Sequence, residues 1–307
     1  MAIEARGLVK RYRDMAAVDG IDLTVRRGDV YGFLGPNGAG KTTTLRMLMS
    51  LVRPDAGEIR LFGRNLAADP IAALQGVAGF IEEPRPYPYL TGRANLEMLA
   101  AFDRNGQDKA TIDQVLELVE LRDRASNRVS EYSQGMRQRL GIASCLVRRP
   151  RLLLLDEPAN GVDPAGLRFL RELLRRLSDE GITILLSSHL LSEVEQVCTR
   201  VAMISRGRIV YEGGLDQLAG AARRSYRLEP TDVDRALAAC RAVDGVDDVR
   251  RADGALVVRI DDDAGLVALT RALAAANVGL RALSAESDSL ERLFFELTER
   301  QPAGVSG

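Results

Sequence analysis

The sequence has few of the features that mark a secreted, zinc-binding or membrane-spanning protein. Its three cysteines, Cys145, Cys198 and Cys240, lie far apart and form no CxxC pair. A disulfide framework or a zinc motif is therefore unsupported, and we expect each thiol to be a small buried apolar residue in a reducing compartment. No signal-peptide core opens the chain, and its longest apolar stretch, around Leu152–Leu155, is far below the roughly 20 residues that span a bilayer. These absences predict a cytoplasmic protein unless a partner tethers it to a membrane.

The chain also lacks an excess of charge of either sign. The formal net charge of its 307 residues is −1, so no general attraction draws it to nucleic acid, and we expect no nucleic-acid partner. Lysine occurs only at positions 10, 41 and 109, although lysine and arginine together number 42. A lysine inside a motif is therefore the more noticeable.

The pattern of apolar runs predicts an α/β fold, because strand-like runs alternate with helical patterns. One helix start is well marked, with Asp163 as a cap, Pro164 at the first position and Gly181 closing the helix. The predicted strands are Ile3–Val9, Ile21–Val25, Val30–Leu34, Ile59–Phe62, Gly76–Ile81, Leu152–Leu155, Thr183–Ser187, Val201–Ile204 and Arg208–Tyr211.

Changes in this pattern divide the chain into two predicted domains. The first covers residues 1–218 and contains a helical insertion at about 84–150, where DKATIDQVLELVEL repeats apolar residues at helical spacing. The second, at 219–300, reads as βαββαβ and predicts a small ferredoxin-like module. Its last part, SDSLERLFFELTER, predicts an amphipathic helix, and residues 301–307 predict a disordered tail.

A glycine-rich segment with a lysine follows the apolar strand VYGFL and fits the pattern GxxxxGK[ST]. Such glycines let the backbone N–H groups point at phosphate oxygens, and the N-terminus of the following helix adds partial positive charge. Lys41 would bring a full charge to the β and γ phosphates, and the Thr42 hydroxyl can ligate Mg²⁺. The predicted nucleotide-binding residues here are Gly35, Asn37, Gly38, Ala39, Gly40, Lys41, Thr42 and Thr43. This motif alone leaves kinases, GTPases and ATPases open.

Two adjacent carboxylates, Asp156 and Glu157, end the buried strand Leu152–Leu155. At the carboxyl edge of a parallel sheet, Asp156 would hold Mg²⁺ and Glu157 would orient and deprotonate an attacking water. Paired acids are common where a strand meets a loop, so this interpretation depends on the phosphate-binding loop upstream.

A further motif lies between the helical insertion and the acidic strand and reads Tyr132-Ser133-Gln134-Gly135-Met136-Arg137-Gln138-Arg139. Ser133 and the Gly135 N–H can open a helix whose N-terminus suits an anion, although an isolated string of this kind would be a simple helix cap. With the phosphate-binding loop and the acidic pair in this order, the segment resembles the LSGGQ-type signature of ABC-family nucleotide-binding domains. The resemblance covers about residues 1–215.

The resemblance implies roles for four further residues. Tyr12 matches an aromatic that stacks on adenine, and Asp163 matches a loop that contacts the partner's site. His189, the only histidine, matches the family's switch histidine, which contacts the γ-phosphate. Glu82 stands where the family has a glutamine beside Mg²⁺. Lys41, Glu157 and His189 are then the implied catalytic residues.

Two departures from the family pattern need a physical account. A glutamate in place of the glutamine keeps an oxygen for Mg²⁺ but loses an amide donor and adds a negative charge near the phosphates. The sequence leaves open whether Glu82 or Glu83 takes that place. Gln134 and Met136 replace a glycine and a glutamine of the signature, as in the branch of daunorubicin-resistance-type drug and antibiotic exporters that the chain resembles.

The resemblance implies an ATPase that forms a homodimer around two MgATP and powers a separate membrane permease, with the protein held at the cytoplasmic face of the membrane. It implies export of drug-like, antibiotic-like or lipid-like cargo. The C-terminal module would be an accessory domain, either dimer-stabilising or regulatory.

The main alternative is a soluble ABC ATPase of translation or chromosomes, but such proteins usually carry two ATP domains or a long coiled-coil insertion, and this chain has one motif set and no such insertion. A GTPase would need a guanine-reading NKxD motif, which the sequence lacks. A kinase would need an acceptor-binding domain, for which the C-terminal module is too small and carries no evident site. A regulatory module that binds ATP and barely hydrolyses it would explain Glu82 and Gln134.

Overall fold

The strand and helix patterns described above form two separate units in the computed structural model of the chain. The first unit is Met1–Leu215, and the second begins at residue 216. The predicted domain boundary at 218, the predicted terminal helix and the tail 301–307 all lie outside the described residues. The residues that the structure describes are 1–102, 109–215, 224–252, 254–260 and 262–286.

A six-stranded sheet forms the centre of the first unit. Its strands are β3 (Val30–Leu34), β6 (Val77–Phe80), β7 (Leu152–Leu155), β8 (Thr183–Ser188), β9 (Arg200–Ser205) and β10 (Arg208–Gly214). They lie in the order β10-β9-β3-β8-β7-β6, and every pair except β9–β10 is parallel. The residues of β3, β7 and β8 are buried throughout, as expected for strands covered on both faces. The carboxyl ends of β3, β8 and β7 therefore meet at one edge.

A second, antiparallel sheet has the order β2-β1-β4-β5. Its strands are β1 (Ile3–Tyr12), β2 (Met15–Val25), β4 (Ala56–Leu61) and β5 (Arg64–Asn65). The hairpin of β1 and β2 is longer than predicted, because cross-strand pairing reaches its tip, where Tyr12 faces Met15 across exposed positions with no apolar alternation. The predicted strand Ile59–Phe62 ends one residue early because Phe62 has a left-handed φ of 51°.

The helices of the first unit confirm the α/β fold with a helical insertion between β6 and β7. They are α1 (Lys41–Leu48), α2 (Pro70–Ala73), α3 (Gly92–Ala101), α4 (Lys109–Leu118), α5 (Gln134–Leu146), α6 (Pro164–Asp179) and α7 (Leu191–Glu195), with 3₁₀ turns at Arg122–Arg124 and Val129–Glu131. Asp163 caps α6 as predicted, since its Oδ1 accepts a hydrogen bond from the Gly166 N–H at 2.7 Å. Helix α2 and strand β5 were not predicted.

The second unit confirms the predicted βαββαβ order. Its elements are β11 (Arg224–Pro230), α8 (Val233–Arg241), β12 (Val246–Ala252), β13 (Ala255–Ile260), α9 (Asp263–Ala275) and β14 (Leu280–Glu286). The strands form an antiparallel sheet of order β12-β13-β11-β14, which is the ferredoxin-like arrangement. Side chains of β11 and β13 pack with both helices in its core, which includes Leu228, Leu256, Cys240 and Leu269.

The three cysteines are buried free thiols, as the sequence predicted. Burial raises the pKa of Cys145 to about 12 and the pKa of Cys240 to about 11, so these thiols stay protonated at neutral pH. In the described part of the chain, no helix combines the length and the apolar character needed to cross a membrane.

A part-buried hydrogen bond ties β3 to β10 and predicts a stability effect. The hydroxyl of Tyr31, a fully buried residue, donates to Glu212 Oε1 at 2.7 Å; burial and this carboxylate raise the pKa of the phenol. We expect Glu212→Ala to lower the free energy of unfolding by about 1–3 kcal/mol, because it leaves the buried hydroxyl without this acceptor. Urea unfolding measures the change, with Glu180→Ala at an exposed helix end as the control. A midpoint equal to that of the parent would contradict the prediction.

Candidate active site

The segment between β3 and α1 forms a loop in which two glycines, Gly35 and Gly40, are required by close backbone contacts. A Cβ atom on Gly40, which has φ 113°, would stand 2.4 Å from the Ala17 carbonyl oxygen, and one on Gly35 would stand 2.5 Å from the Ile204 carbonyl oxygen. Asn37 and Gly38 are exposed at the tip of the loop. The loop therefore packs tightly at its base and opens to solvent where a phosphate would enter.

Lys41 is the first residue of α1 and is almost fully buried, with a side-chain exposure of 5%. Its Nζ donates hydrogen bonds to the carbonyl oxygens of Gly35 at 2.7 Å and Pro36 at 3.3 Å. The same Nζ lies 3.0 Å from Glu157 Oε1 as an ion pair without hydrogen-bond geometry. The ammonium group is thus held over the phosphate-binding loop by two carbonyl oxygens of that loop and by the carboxylate of Glu157.

Asp156 is buried at the end of β7, next to the carboxyl end of β8. Its Oδ1 accepts a hydrogen bond from the Ser187 hydroxyl at 2.5 Å, and its Oδ2 accepts one from the Glu82 N–H at 3.4 Å. These two donors orient the carboxylate without neutralising it. The prediction from sequence did not include Ser187, although the polar run that ends the buried strand TILLSS indicates it.

Glu157 has a left-handed φ of 49°, which is a strained conformation for a residue with a side chain. The Ser187 hydroxyl accepts a hydrogen bond from the Glu157 N–H at 2.9 Å and stabilises this backbone. Glu157 Oε2 lies 2.8 Å from His189 Nδ1, and the His189 N–H donates to the same oxygen at 3.3 Å. The structure therefore joins three predicted catalytic residues, Lys41, Glu157 and His189, in one chain of contacts.

Ser133, Gly135 and Asp163 belong to a second cluster. Ser133 is the N-cap of α5, and its Oγ accepts a hydrogen bond from the Met136 N–H at 3.3 Å. These residues line a cavity of about 400 Å³ between the start of α5 and the loop that follows β7. The described residues around this cavity include none from the phosphate-binding loop.

Two other predicted residues have distinct surroundings. Tyr12 lies at the tip of the β1–β2 hairpin, is 41% exposed, and has the Lys10 Nζ 5.7 Å from its ring centroid. Because Ala17 of the same hairpin packs against Gly40, the hairpin stands beside the phosphate-binding loop. Glu82 has its N–H near Asp156, but its carboxylate forms an ion pair with Arg46 at 2.6 Å. Sequence reasoning did not single out Arg46.

The residues present fit a nucleotide with Mg²⁺. Thr42 and Thr43 follow Lys41 in the first turn of α1, where helical N–H groups and the lysine favour phosphate. The hydroxyl of Thr42 and the buried carboxylate of Asp156 are hard oxygen donors of the kind that Mg²⁺ prefers.

Comparison with known proteins decides the family. The ABC transporter family matches residues 18–160. The bacitracin transport ATP-binding protein BcrA of Bacillus licheniformis is 41% identical over 236 residues, which are 76% of this chain and 77% of that protein. This chain belongs to the ABC transporter ATP-binding proteins. As an ABC ATPase it binds and hydrolyses ATP.

The similarity of this ABC ATPase extends beyond its first unit. The daunorubicin/doxorubicin resistance ATP-binding protein DrrA of Streptomyces peucetius is 38% identical over 306 residues, which are 97% of this chain and 92% of that protein. A solved structure of an ATP-binding subunit of an ABC transporter is 29% identical, covers 72% of this chain and 92% of its own, and has a TM-score of 0.65. The ABC-type fold predicted from the motifs is thereby confirmed.

Proposed function

We propose that two copies of this ABC ATPase enclose two MgATP molecules and power a separate membrane permease. The division of the site supports this proposal. Lys41, Asp156 and Glu157 form one cluster, whereas Ser133 and Gly135 lie in another whose cavity lacks the phosphate-binding loop. A second copy would bring its Ser133 and Gly135 to the first copy's nucleotide.

In this arrangement each residue has a defined task. Lys41 binds the β and γ phosphates in place of the carbonyl groups that it now contacts, and Tyr12 stacks on adenine. Mg²⁺, held by Thr42, Asp156 and Glu82, would neutralise phosphate charge. Glu157 orients the attacking water and accepts its proton. His189 holds the Glu157 carboxylate and contacts the γ-phosphate, while Asp163 contacts the partner copy.

Loss of the γ-phosphate removes the group that bridges the two copies, so the dimer opens after hydrolysis. A segment that is ordered by a nucleotide phosphate and released on hydrolysis is a known kind of switch. Since the helix that begins at Ser133 belongs to the insertion, opening would move the insertion relative to the central sheet. This movement of the insertion would be transmitted to the permease.

The surface around the segment Glu83–Leu90 is suited to a permease. The backbone of Tyr87 is fixed by the buried Asn95, which accepts from the Tyr87 N–H at 2.8 Å and donates to the Tyr87 carbonyl oxygen at 3.1 Å. Pro84 packs on Gly141 of α5 so closely that a Cβ there would stand 2.2 Å from the proline ring. A cavity of about 460 Å³ opens between this segment and the helices of the insertion. Tyr87 and Tyr89 are exposed beside it.

The relatives support export of antibiotic-like or other drug-like cargo. One relative is a bacitracin transport protein, and another is a daunorubicin/doxorubicin resistance protein. The protein would then lie at the cytoplasmic face of the membrane through its permease. Its second unit would act as an accessory domain.

Purification from membranes of the native host tests this function. We expect tagged Glu157→Gln protein, bound to ATP, to bring down a multi-spanning membrane protein in stoichiometric amount, because the variant holds the closed state. Mass spectrometry identifies the partner. Recovery of ribosomal or chromosomal proteins alone would contradict the permease and favour a soluble ATP-driven switch. The Lys41→Met variant, in the same buffer, is the control for contacts that do not need nucleotide.

A further inference from the structure

Glu82 adds a negative charge where a triphosphate is expected to bind, and the structure shows what surrounds it. The residue follows β6 and has a left-handed φ of 64°. Its N–H lies 3.4 Å from Asp156 Oδ2, so its backbone is at the metal-site carboxylate. Its own carboxylate is more than half exposed. Uncompensated, this charge would repel the phosphates of a bound nucleotide.

Arg46 compensates this charge. Its Nη2 lies 2.6 Å from Glu82 Oε1, within a charge-assisted hydrogen bond. Arg46 stands four residues after Thr42 on α1, which places both on the same side of the helix that begins at the phosphate-binding loop. A pair as exposed as this one contributes little to folding stability. Its position at the nucleotide site therefore points to a role in binding.

We propose that Arg46 is a positioning residue that neutralises Glu82 and holds its carboxylate beside the phosphate site. The pair presents no net charge to the nucleotide, and Glu82 can occupy the family's glutamine position without repelling the triphosphate. This inference rests on the proposed MgATP site.

A double-mutant cycle tests the inference through nucleotide binding rather than turnover. The four chains are the parent, Arg46→Gln, Glu82→Gln and the double variant, each titrated with a fluorescent ATP analogue with and without Mg²⁺. Without Mg²⁺, which would itself compensate Glu82, we expect Arg46→Gln to raise the Kd roughly five- to tenfold, since it leaves one uncompensated carboxylate near the phosphates. The double variant should bind like Glu82→Gln alone, because no charge is left to compensate.

Two further measurements separate charge compensation from other causes. Raising the salt concentration should shrink the effect of Arg46→Gln, because both groups are exposed to solvent. Arg46→Lys keeps the charge and should bind within about twofold of the parent. Arg122→Gln and Glu117→Gln remove the partners of another exposed pair, 2.9 Å apart, and serve as matched controls.

The outcomes are distinct. An equal rise in Kd on removing Arg46 in the Glu82→Gln background would show that Arg46 contacts phosphate itself and would overturn the inference. An unchanged Kd for Arg46→Gln would overturn it as well. A parent chain that binds no nucleotide would instead overturn the proposed site, and this inference with it.

Discussion

Replacement of Glu157 by glutamine is expected to reduce the rate of ATP hydrolysis by about 10²- to 10⁴-fold, the usual contribution of a general base. Glutamine has nearly the same shape and can still contact His189, and the backbone N–H at this position still donates to Ser187. The strained turn should therefore persist. It cannot accept the proton of the attacking water. Phosphate release at saturating ATP measures the loss.

The same variant should retain ATP and accumulate as a dimer, because closure needs nucleotide but opening needs hydrolysis. Size-exclusion chromatography with and without ATP shows whether a dimer forms. Glu180→Gln, at the exposed end of α6, is the matched control and should hydrolyse ATP like the parent. A Glu157→Gln protein with the parental rate would refute the role given to Glu157.

Lys41→Met is expected to weaken ATP binding by roughly 30-fold to several thousandfold, because truncating one member of a desolvated charge pair at a binding site costs about 2–5 kcal/mol. Lys41 is 5% exposed, and methionine fills a similar volume without the charge. The Gly35 carbonyl and Glu157 would both lose the ammonium group that they now contact. Equilibrium titration with a fluorescent ATP analogue measures the change.

Lys109→Met is the control, since the same substitution there falls on an exposed residue at the start of α4. The two site variants should differ in kind: Glu157→Gln binds ATP and hydrolyses it slowly, whereas Lys41→Met binds it weakly. Circular dichroism must show that Lys41→Met is folded. Parental affinity in a folded Lys41→Met protein would exclude the phosphate-binding role of this lysine.

Much of the site was predictable because its chemistry is local in sequence. Lys41 stands out in a chain with three lysines, and Asp156 with Glu157 ends a run of four leucines. The prediction of the buried strands was also accurate, since strands covered on both faces appear as continuous apolar runs. The exposed ends of β1 and β2 were missed because polar residues on a hairpin carry no such signal.

The residues that act through other residues were not predictable in this way. Ser187 joins Asp156 to Glu157 only because β7 and β8 are neighbours in the sheet. In the sequence alone, Arg46 resembles any arginine on the surface of a helix. Its ion pair with Glu82 depends on the loop after β6, which the fold places beside α1. The left-handed backbones of Glu82 and Glu157 likewise have no signature in the letters of the sequence.

The sequence by itself determined the class of chemistry, the family and the alternation of strands and helices, because each depends on residue types at short, ordered spacings. Tertiary structure alone decided which charges meet and which site elements remain apart. Strand order at one sheet edge brings Lys41 to Glu157, which are far apart along the chain. The start of α5 faces a separate cavity. Contacts between distant segments follow from sheet order and packing, and local sequence does not specify either.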